Sequence, residues 1–203
     1  MTTAKPLRAD ARRNRDALLA KARELFANGC FDLRFDDFAR LAGVGTGTLY
    51  RHFPTRAALA EAVYREELTA MCARARELQA TLPALDALAA FLQGLVDHLH
   101  THQGLARTLA TLMATRSDAL AEGGRELDRV MADLLARGVE EGTVRDDVGA
   151  GAVMMLLQGI CTACDQLGSR EDANGAVALV VDGLRRRAAR DGDRPNGLRP
   201  ART

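Results

Sequence analysis

The sequence predicts an all-α protein, in which a small N-terminal domain of three helices precedes a larger helical bundle, with about nine helices in total. Apolar residues recur at spacings of three and four along almost the whole chain, and no stretch keeps the two-residue period of a strand. Seven of the eight aromatic residues lie within the first 64, so a short region with bulky core side chains precedes a long region rich in Ala, Leu and Val. At 203 residues the chain is long enough for one or two cored domains without disulfides.

Turn residues punctuate the N-terminal region. Gly29 supplies the left-handed residue that ends a helix, and Gly43 and Gly45 interrupt the helical pattern again. Pro54 ends another helix because proline disfavours a helical conformation in the residue before it, and Thr55 is a favourable N-cap for the next one. These signals predict a first helix ending at Asn28-Gly29, then helices over residues 35–41, 46–53 and 56–79.

The remaining chain keeps a helical period up to a polar tail. This helical period predicts helices near residues 85–100, 105–115, 118–141, 147–167 and 173–189. The segment after Arg190 has the composition of a disordered chain. We therefore expect an N-terminal domain over residues 1–54, a helical body over residues 55–190 and a disordered tail over residues 191–203.

Charge is distributed unevenly along the chain, although its total is only +1. Residues 1–65 carry a net charge of +5, residues 66–184 carry −9, and residues 185–203 carry +5. A basic N-terminal part on an acidic body is expected of a chain whose N-terminal part meets a polyanion. The alternative is a chance distribution of solvated helix faces, and charge alone does not decide between them.

The two short helices around Gly43 have the length and punctuation of a helix-turn-helix. The first helix must pack on the second, and the inner face is predicted to consist of Phe38, Leu41, Val44, Leu49 and Phe53. The second must fit a major groove about 12 Å wide, so its outer face has to be slim or able to form hydrogen bonds. Thr46, Gly47, Thr48, Tyr50 and Arg51 meet that demand.

The same region resembles the DNA-binding signature of TetR-family transcriptional regulators, from about residue 7 to residue 68. The residues that carry the resemblance are Gly29, Phe38-Ala39, Ala42-Gly43-Val44, Gly47-Thr48-Leu49-Tyr50, His52-Phe53 and Leu59. The resemblance implies an all-helical homodimer whose C-terminal helices hold a small-molecule pocket and the dimer interface. It also implies that Thr46, Gly47 and Thr48 face the groove, and that Tyr50, His52 and Arg56 meet the phosphate backbone.

The sequence departs from the family pattern in three places. Phe35 and Phe38 replace smaller aliphatic residues, which we interpret as a change in core packing. Leu33-Arg34 replaces the Thr/Ser pair that is usual before the second helix, which puts its side-chain cap in doubt, although Arg34 offers a charge to a phosphate instead. Gly45 stands where Ser is common and removes a hydroxyl contact. Basic residues near the N-terminus, Arg8, Arg12 and Arg13, are expected either to form an arm that reaches DNA or to be ordinary solvated charges.

The body offers candidates for a ligand pocket and for a dimer interface. Polar side chains among hydrophobes, with apolar walls around them, are typical of a pocket. The pocket candidates are Phe91, Leu95, His98, Met113, Met155, Gln158 and Thr162. Small residues allow two helices to approach closely, and the predicted dimer interface consists of Gly151, Ala152, Gly159 and Ala163. The alternative in each case is an ordinary core residue.

Two further patterns have alternative interpretations. His98 and His102 share a helix face, but no Asp, Glu or Cys stands at a convincing spacing for a metal site, and no metal is predicted. Cys161 and Cys164 form a CxxC pair within an apolar run, so buried small hydrophobes are favoured over redox sensing. A redox-controlled regulator and a small helical enzyme with His98 or His102 as a base remain the alternative hypotheses.

The N-terminal fifteen residues lack the apolar core of a signal peptide, and the longest apolar stretch, residues 152–157, is far shorter than the about 20 residues that span a bilayer. These features predict a cytoplasmic protein with no membrane contact. The sequence therefore predicts a non-enzymatic, ligand-responsive transcriptional regulator without a cofactor. We expect a repressor that binds a palindromic double-stranded DNA operator as a homodimer and is released by a small apolar effector of unknown identity.

Overall fold

The computed structural model describes residues 4–30, 33–101, 117–167 and 170–186, and eight helices account for most of them. This confirms the all-α prediction. The helices are α1 (Ala4–Ala27), α2 (Phe35–Leu41), α3 (Thr46–His52), α4 (Arg56–Thr81), α5 (Ala84–Thr101), α6 (Ser117–Glu140), α7 (Ala150–Leu167) and α8 (Arg170–Leu184). The helix expected over residues 105–115 and the tail after residue 190 lie outside the described residues.

The first helices end and begin at the turn and cap residues that the sequence predicts. Gly29 and Gly43 both have a φ of 68°, a left-handed conformation that glycine adopts without a steric cost. Thr55 caps α4 because its side-chain oxygen accepts a hydrogen bond of 3.1 Å from the backbone N–H of Ala58.

The last helix ends earlier than its sequence pattern indicates, at Leu184 and not near residue 189. The chain there pairs with the loop after α6. Arg145 N–H donates to the Leu184 carbonyl at 2.9 Å, and Arg186 N–H donates to the Thr143 carbonyl at 3.0 Å. These bonds replace the next helical ones, and they fix the end of α8 against α6.

A first hydrophobic core joins α1, α2, α3 and the start of α4. It is built around the buried rings of Phe26 and Phe38, whose centroids lie 5.4 Å apart. It also contains Leu59, Ala60 and Val63 of α4, so the first turns of α4 pack with the three N-terminal helices. Its buried residues are Leu18, Leu19, Ala22, Phe26, Phe38, Ala39, Leu49, Phe53, Leu59, Ala60 and Val63.

One residue of the predicted inner face lies elsewhere. Leu41 is 40% exposed, because it is the last residue of α2 and the chain turns away at Gly43. Phe38, Leu49 and Phe53 are buried as predicted, and Val44 packs partly buried against them.

A second core fills the body, where the C-terminal half of α4 packs with α5, α6, α7 and α8. The buried residues of α5 recur every three or four positions, which turns one continuous stripe inward. They are Ala84, Ala87, Leu88, Phe91, Leu92, Leu95 and Val96. Helix α4 therefore contributes to both cores, at residues 59–63 and again at residues 72–78.

The close packing between α6 and the loop that follows it gives a test of the body. A Cβ at Gly138 would overlap the Val144 side chain and would lie 2.9 Å from its Cβ, and Val144 is buried. We expect Gly138→Ala to lower the free energy of unfolding by about 1–3 kcal/mol through overpacking. Gly124→Ala on the same helix is the matched control, because a Cβ there meets nothing within 4 Å. Thermal unfolding of both variants provides the measurement, and equal melting temperatures would contradict the packing described.

Candidate nucleic-acid interface and adjoining cavity

Helix α3 presents a polar face to solvent and an apolar face to the first core. Leu49 is fully buried beneath it. Thr46, Gly47, Tyr50 and Arg51 are exposed, and Thr48 is half-buried. The structure thus exposes the residues that the sequence predicts for the outer face of α3, apart from the half-buried Thr48.

The glycines of this segment are not required by the protein's own packing. A Cβ at Gly45 or at Gly47 would meet no atom within 4 Å, and neither residue has a positive φ. Gly45 is the N-cap of α3 and supplies no side-chain bond, as its identity implies. The absence of a side chain at Gly47 leaves the outer surface of α3 slim, which is what entry into a groove demands.

Tyr50 is held in a fixed orientation next to α2. Its ring packs edge-on against Phe35, with centroids 5.4 Å apart and an interplanar angle of 85°. Hydrogen bonding to the Asp36 side chain, reinforced by partial desolvation, raises the pKa of the Tyr50 phenol. The phenol therefore stays neutral at physiological pH, and its single O–H would have to leave Asp36 to donate a hydrogen bond to a phosphate oxygen.

His52 and Arg34 flank the exposed face of α3. His52 is half-buried beside Phe53, and both residues line a surface cavity of about 340 Å³ with Arg15. Arg34 is exposed at the N-cap of α2 and makes no side-chain cap hydrogen bond, as its replacement of Thr or Ser implies. Its charge lies close enough to Tyr50 to lower the pKa of the phenol, against the larger opposite effect of Asp36.

Arg56 differs from the other residues of this set because its side chain turns inward. It is half-buried, it donates a hydrogen bond to the carbonyl of Leu33, and its guanidinium carbon lies 5.6 Å from the centre of the Phe38 ring. These contacts fasten the segment before α2 to the start of α4. Arg56 thus positions the helix-turn-helix in this structure.

A cavity of about 390 Å³ lies between α4 and α5, and it brings together three of the predicted pocket residues, Phe91, Leu95 and His98. The sequence reasoning missed the α4 wall, because no spacing along the chain relates it to α5. The other lining residues are Glu67, Ala70, Met71, Arg74, Ala90 and Gly94.

The other predicted pocket residues do not line this cavity. Met155, Gln158 and Thr162 are exposed on the outer side of α7, and Met155 is 76% exposed. Spacings of three and four place them on one face of the helix, which is directed away from the body core. Met113 lies outside the described residues.

Small and large apolar residues lie together on that outer side of α7. All four predicted interface residues, Gly151, Ala152, Gly159 and Ala163, are exposed there. Leu156 on the same helix and Leu179 on the adjacent α8 are 53% and 75% exposed. Within the part of the chain that the structure describes, three of the five exposed large hydrophobic residues belong to α7 and α8.

The histidines and cysteines that the structure describes do not form a metal-binding group. No group of three or more His, Cys, Asp or Glu side chains that could hold an ion occurs within the four described ranges. Cys161 is half-buried on α7, while His102 lies beyond the described end of α5. His98 is instead next to a carboxylate of α4.

That carboxylate belongs to Glu67, which is 8% exposed and is the buried charged residue of the described chain. His98 Nε2 lies 3.1 Å from Glu67 Oε2, and Arg23 Nε of α1 donates to Glu67 Oε1. Hydrogen bonding from His98, and then from Arg23, lowers the pKa of Glu67 although burial opposes the shift. Arg23 also pairs with Glu66 at 3.1 Å.

An exposed, slim and polar second helix, held rigidly on a first helix by a small core, defines the class of helix-turn-helix DNA-binding proteins. Comparison with known proteins narrows that class. Residues 18–63 match the family model of bacterial regulatory proteins of the tetR family, and residues 83–186 match that of the SbtR-like transcriptional regulator C-terminal domain. The chain belongs to the TetR family of transcriptional regulators.

Individual relatives agree with this assignment. The chain is 28% identical over 153 residues to the HTH-type transcriptional repressor KstR2 of Mycolicibacterium smegmatis, which covers 71% of this chain and 74% of the relative. A crystal structure of a TetR transcriptional regulator from Streptomyces coelicolor is 34% identical, with a TM-score of 0.71 over 86% of this chain and 99% of that one. A TetR regulatory protein from Mycobacterium vanbaalenii is 33% identical, with a TM-score of 0.68 over 89% and 99%.

None of the helices in the described ranges combines sufficient length with sufficient apolar character to cross a membrane.

The buried carboxylate predicts a pH-dependent contribution to stability. The folded pKa of Glu67 lies below the unfolded value of about 4.3, so its stabilising effect is present above that value and is lost as the pH falls through the folded pKa. We expect Glu67→Gln to lower the free energy of unfolding by about 1–3 kcal/mol at pH 7, with a difference that shrinks below about pH 4. Urea unfolding between pH 7 and pH 3 measures this. Glu77→Gln, at a mostly exposed pair with Arg74, should change stability by less than about 1 kcal/mol at every pH.

Proposed function

We propose that this TetR-family regulator is a homodimeric repressor that binds a palindromic operator in the cytoplasm and is released by a small, largely apolar effector. The observation that carries the proposal is the outer face of α3. Exposed hydrogen-bonding groups flank a glycine that packs against nothing, on a helix anchored by a fully buried leucine. Such a surface suits a major groove better than it suits an apolar partner.

The proposed DNA contacts divide by their position on the surface. Thr46, Gly47 and Thr48 at the start of α3 would approach base edges, where a helix N-terminus points into the groove. Tyr50, Arg51, His52 and Arg34 would meet phosphates on either side. In a dimer with twofold symmetry the two α3 helices would read half-sites about 34–36 Å apart, or a multiple of that distance.

The second copy is proposed to dock on α7 and α8. Leu156 and Leu179 expose apolar surface that a partner would remove from water, and the glycines and alanines of α7 would let a facing helix approach closely. A twofold axis would place the same patch of both copies in contact.

The effector is proposed to bind between α4 and α5. The cavity volume of about 390 Å³ falls within the range of small-molecule sites, and most of its lining side chains are apolar. Helix α4 lines this cavity and also continues from the first core, so an effector there could alter the relative positions of the two α3 helices.

A steric block on α3 tests the DNA-binding face. In Gly47→Leu the new side chain should project from α3 without touching the rest of the protein. We expect an unchanged or higher melting temperature, because leucine favours helix more than glycine does, and a dissociation constant for DNA flanking the gene raised about tenfold or more. Fluorescence anisotropy over a series of salt concentrations measures binding. Gly124→Leu, at a half-buried glycine of α6 where an added Cβ also meets nothing within 4 Å, should bind DNA as the wild type does. Equal affinity of both variants would disprove the proposed face.

A charge on α8 tests the proposed dimer. Leu179 is 75% exposed in the single chain, so Leu179→Glu should leave the core intact and place a charge in the apolar contact. We expect the wild type to have twice the 21.9 kDa chain mass in light scattering after gel filtration, and the variant to shift towards 21.9 kDa. Leu41→Gln, at an exposed leucine of α2, should remain dimeric. A Leu179→Glu variant that keeps the wild-type mass would place the interface elsewhere.

A further inference from the structure

Glu67 connects three helices that belong to two different cores. Its two carboxylate oxygens are divided between two partners, with Oε1 accepting from Arg23 of α1 and Oε2 lying 3.1 Å from His98 of α5. Arg23 belongs to α1, whose buried residues lie in the first core, whereas His98 follows the buried stripe of α5 in the body core. One carboxylate thus links the first helix of the DNA-binding unit to the second helix of the body.

This link borders the cavity between α4 and α5. Glu67 and His98 both line it, so a molecule in the cavity lies next to one of the two bonds that hold the carboxylate. A charged group that is 8% exposed is costly to leave without a partner. Without the bond to His98 the buried position of the Glu67 carboxylate is less stable, so the contact between Glu67 and Arg23 that holds α1 on α4 is weakened as Glu67 moves towards water.

The lining of the cavity also indicates the chemistry of its occupant. Ala70, Met71, Phe91 and Leu95 provide apolar surface for the body of a ligand. The basic groups are His98 and Arg74, and Arg74 is largely exposed with Glu77 as its partner on the same helix. The single acidic group in this lining is Glu67, which already has two donors and offers little to a cation.

We propose that Arg23, Glu67 and His98 couple the cavity to the DNA-binding unit, and that the effector is an apolar molecule with a carboxylate which competes with Glu67 for His98. This rests on the proposed function, since it names the ligand class and the positioning residues of the same site. Binding weakens the His98–Glu67 bond, loosens the hold of Glu67 on α1 and lowers the affinity for DNA. Ligand and DNA therefore oppose each other through one coupling free energy.

Amide hydrogen exchange in the full-length protein without DNA tests the coupling directly. His98→Leu removes the donor but keeps an apolar side chain at the cavity wall, and His98→Gln restores a donor. We expect exchange in the C-terminal half of α1 to be about tenfold faster in His98→Leu and close to wild type in His98→Gln. Arg74→Gln is the matched control, because Arg74 lines the same cavity and its described partner is Glu77 on its own helix. Unchanged exchange in His98→Leu, or equal acceleration in Arg74→Gln, would overturn the coupling.

Three probes with the same apolar chain test the ligand class: sodium decanoate, decan-1-ol and decylamine. We expect decanoate to raise the dissociation constant of the wild type for its DNA about fivefold or more, and the other two to have little effect. Gly94→Leu should abolish the response, because Gly94 lines the cavity and a Cβ there meets nothing within 4 Å. Gly124→Leu should retain it.

The outcomes separate this proposal from the proposed function. A wild type that does not bind DNA at all would refute the regulator hypothesis, while the exchange measurement would still decide whether α1 depends on His98. A wild type that binds DNA but ignores decanoate, or responds better to decylamine, would overturn the carboxylate assignment. A His98→Leu variant that responds to decanoate as fully as the wild type would overturn the role of His98.

Discussion

The structure depends on α4 being part of two hydrophobic cores. Residues 59–63 complete the small core under α2 and α3, and residues 72–78 help to build the body core. These two sets of residues belong to one uninterrupted helix, so the DNA-binding unit and the body share α4 and no loop separates the two contacts.

The polar contacts at the junction of the two cores follow from this arrangement. Where α4 leaves the first core, its neighbours are α1 on one side and α5 on the other, and Glu67 has a partner on each. Hydrogen bonds to Arg23 and His98 offset the cost of burying the carboxylate. The same position borders the cavity, so the polar site of the junction and the candidate ligand site share residues.

Local patterns predicted the N-terminal unit well. The helix ends at Gly29 and Gly43 and the cap at Thr55 depend on residues within one turn, and the structure places them as expected. The outer face of α3 followed from the period of one helix. The prediction that Leu41 lies on the inner face was wrong, because the orientation of a side chain at a helix end depends on the turn that follows it. Arg56 turns towards Leu33 through a contact that no local pattern encodes.

The sequence by itself determined the fold class, the helix order and the outer face of α3 that we propose as the DNA-binding surface, since these depend on spacings within single helices. Only the tertiary structure decided which helices share a cavity. Phe91, Leu95 and His98 lie on the α4–α5 cavity, while Met155, Gln158 and Thr162 lie on the outer side of α7. Both sets have polar groups among apolar ones along the chain, so periodicity could not separate them. The partner of His98, Glu67, is 31 residues away on another helix, and packing alone brings them together.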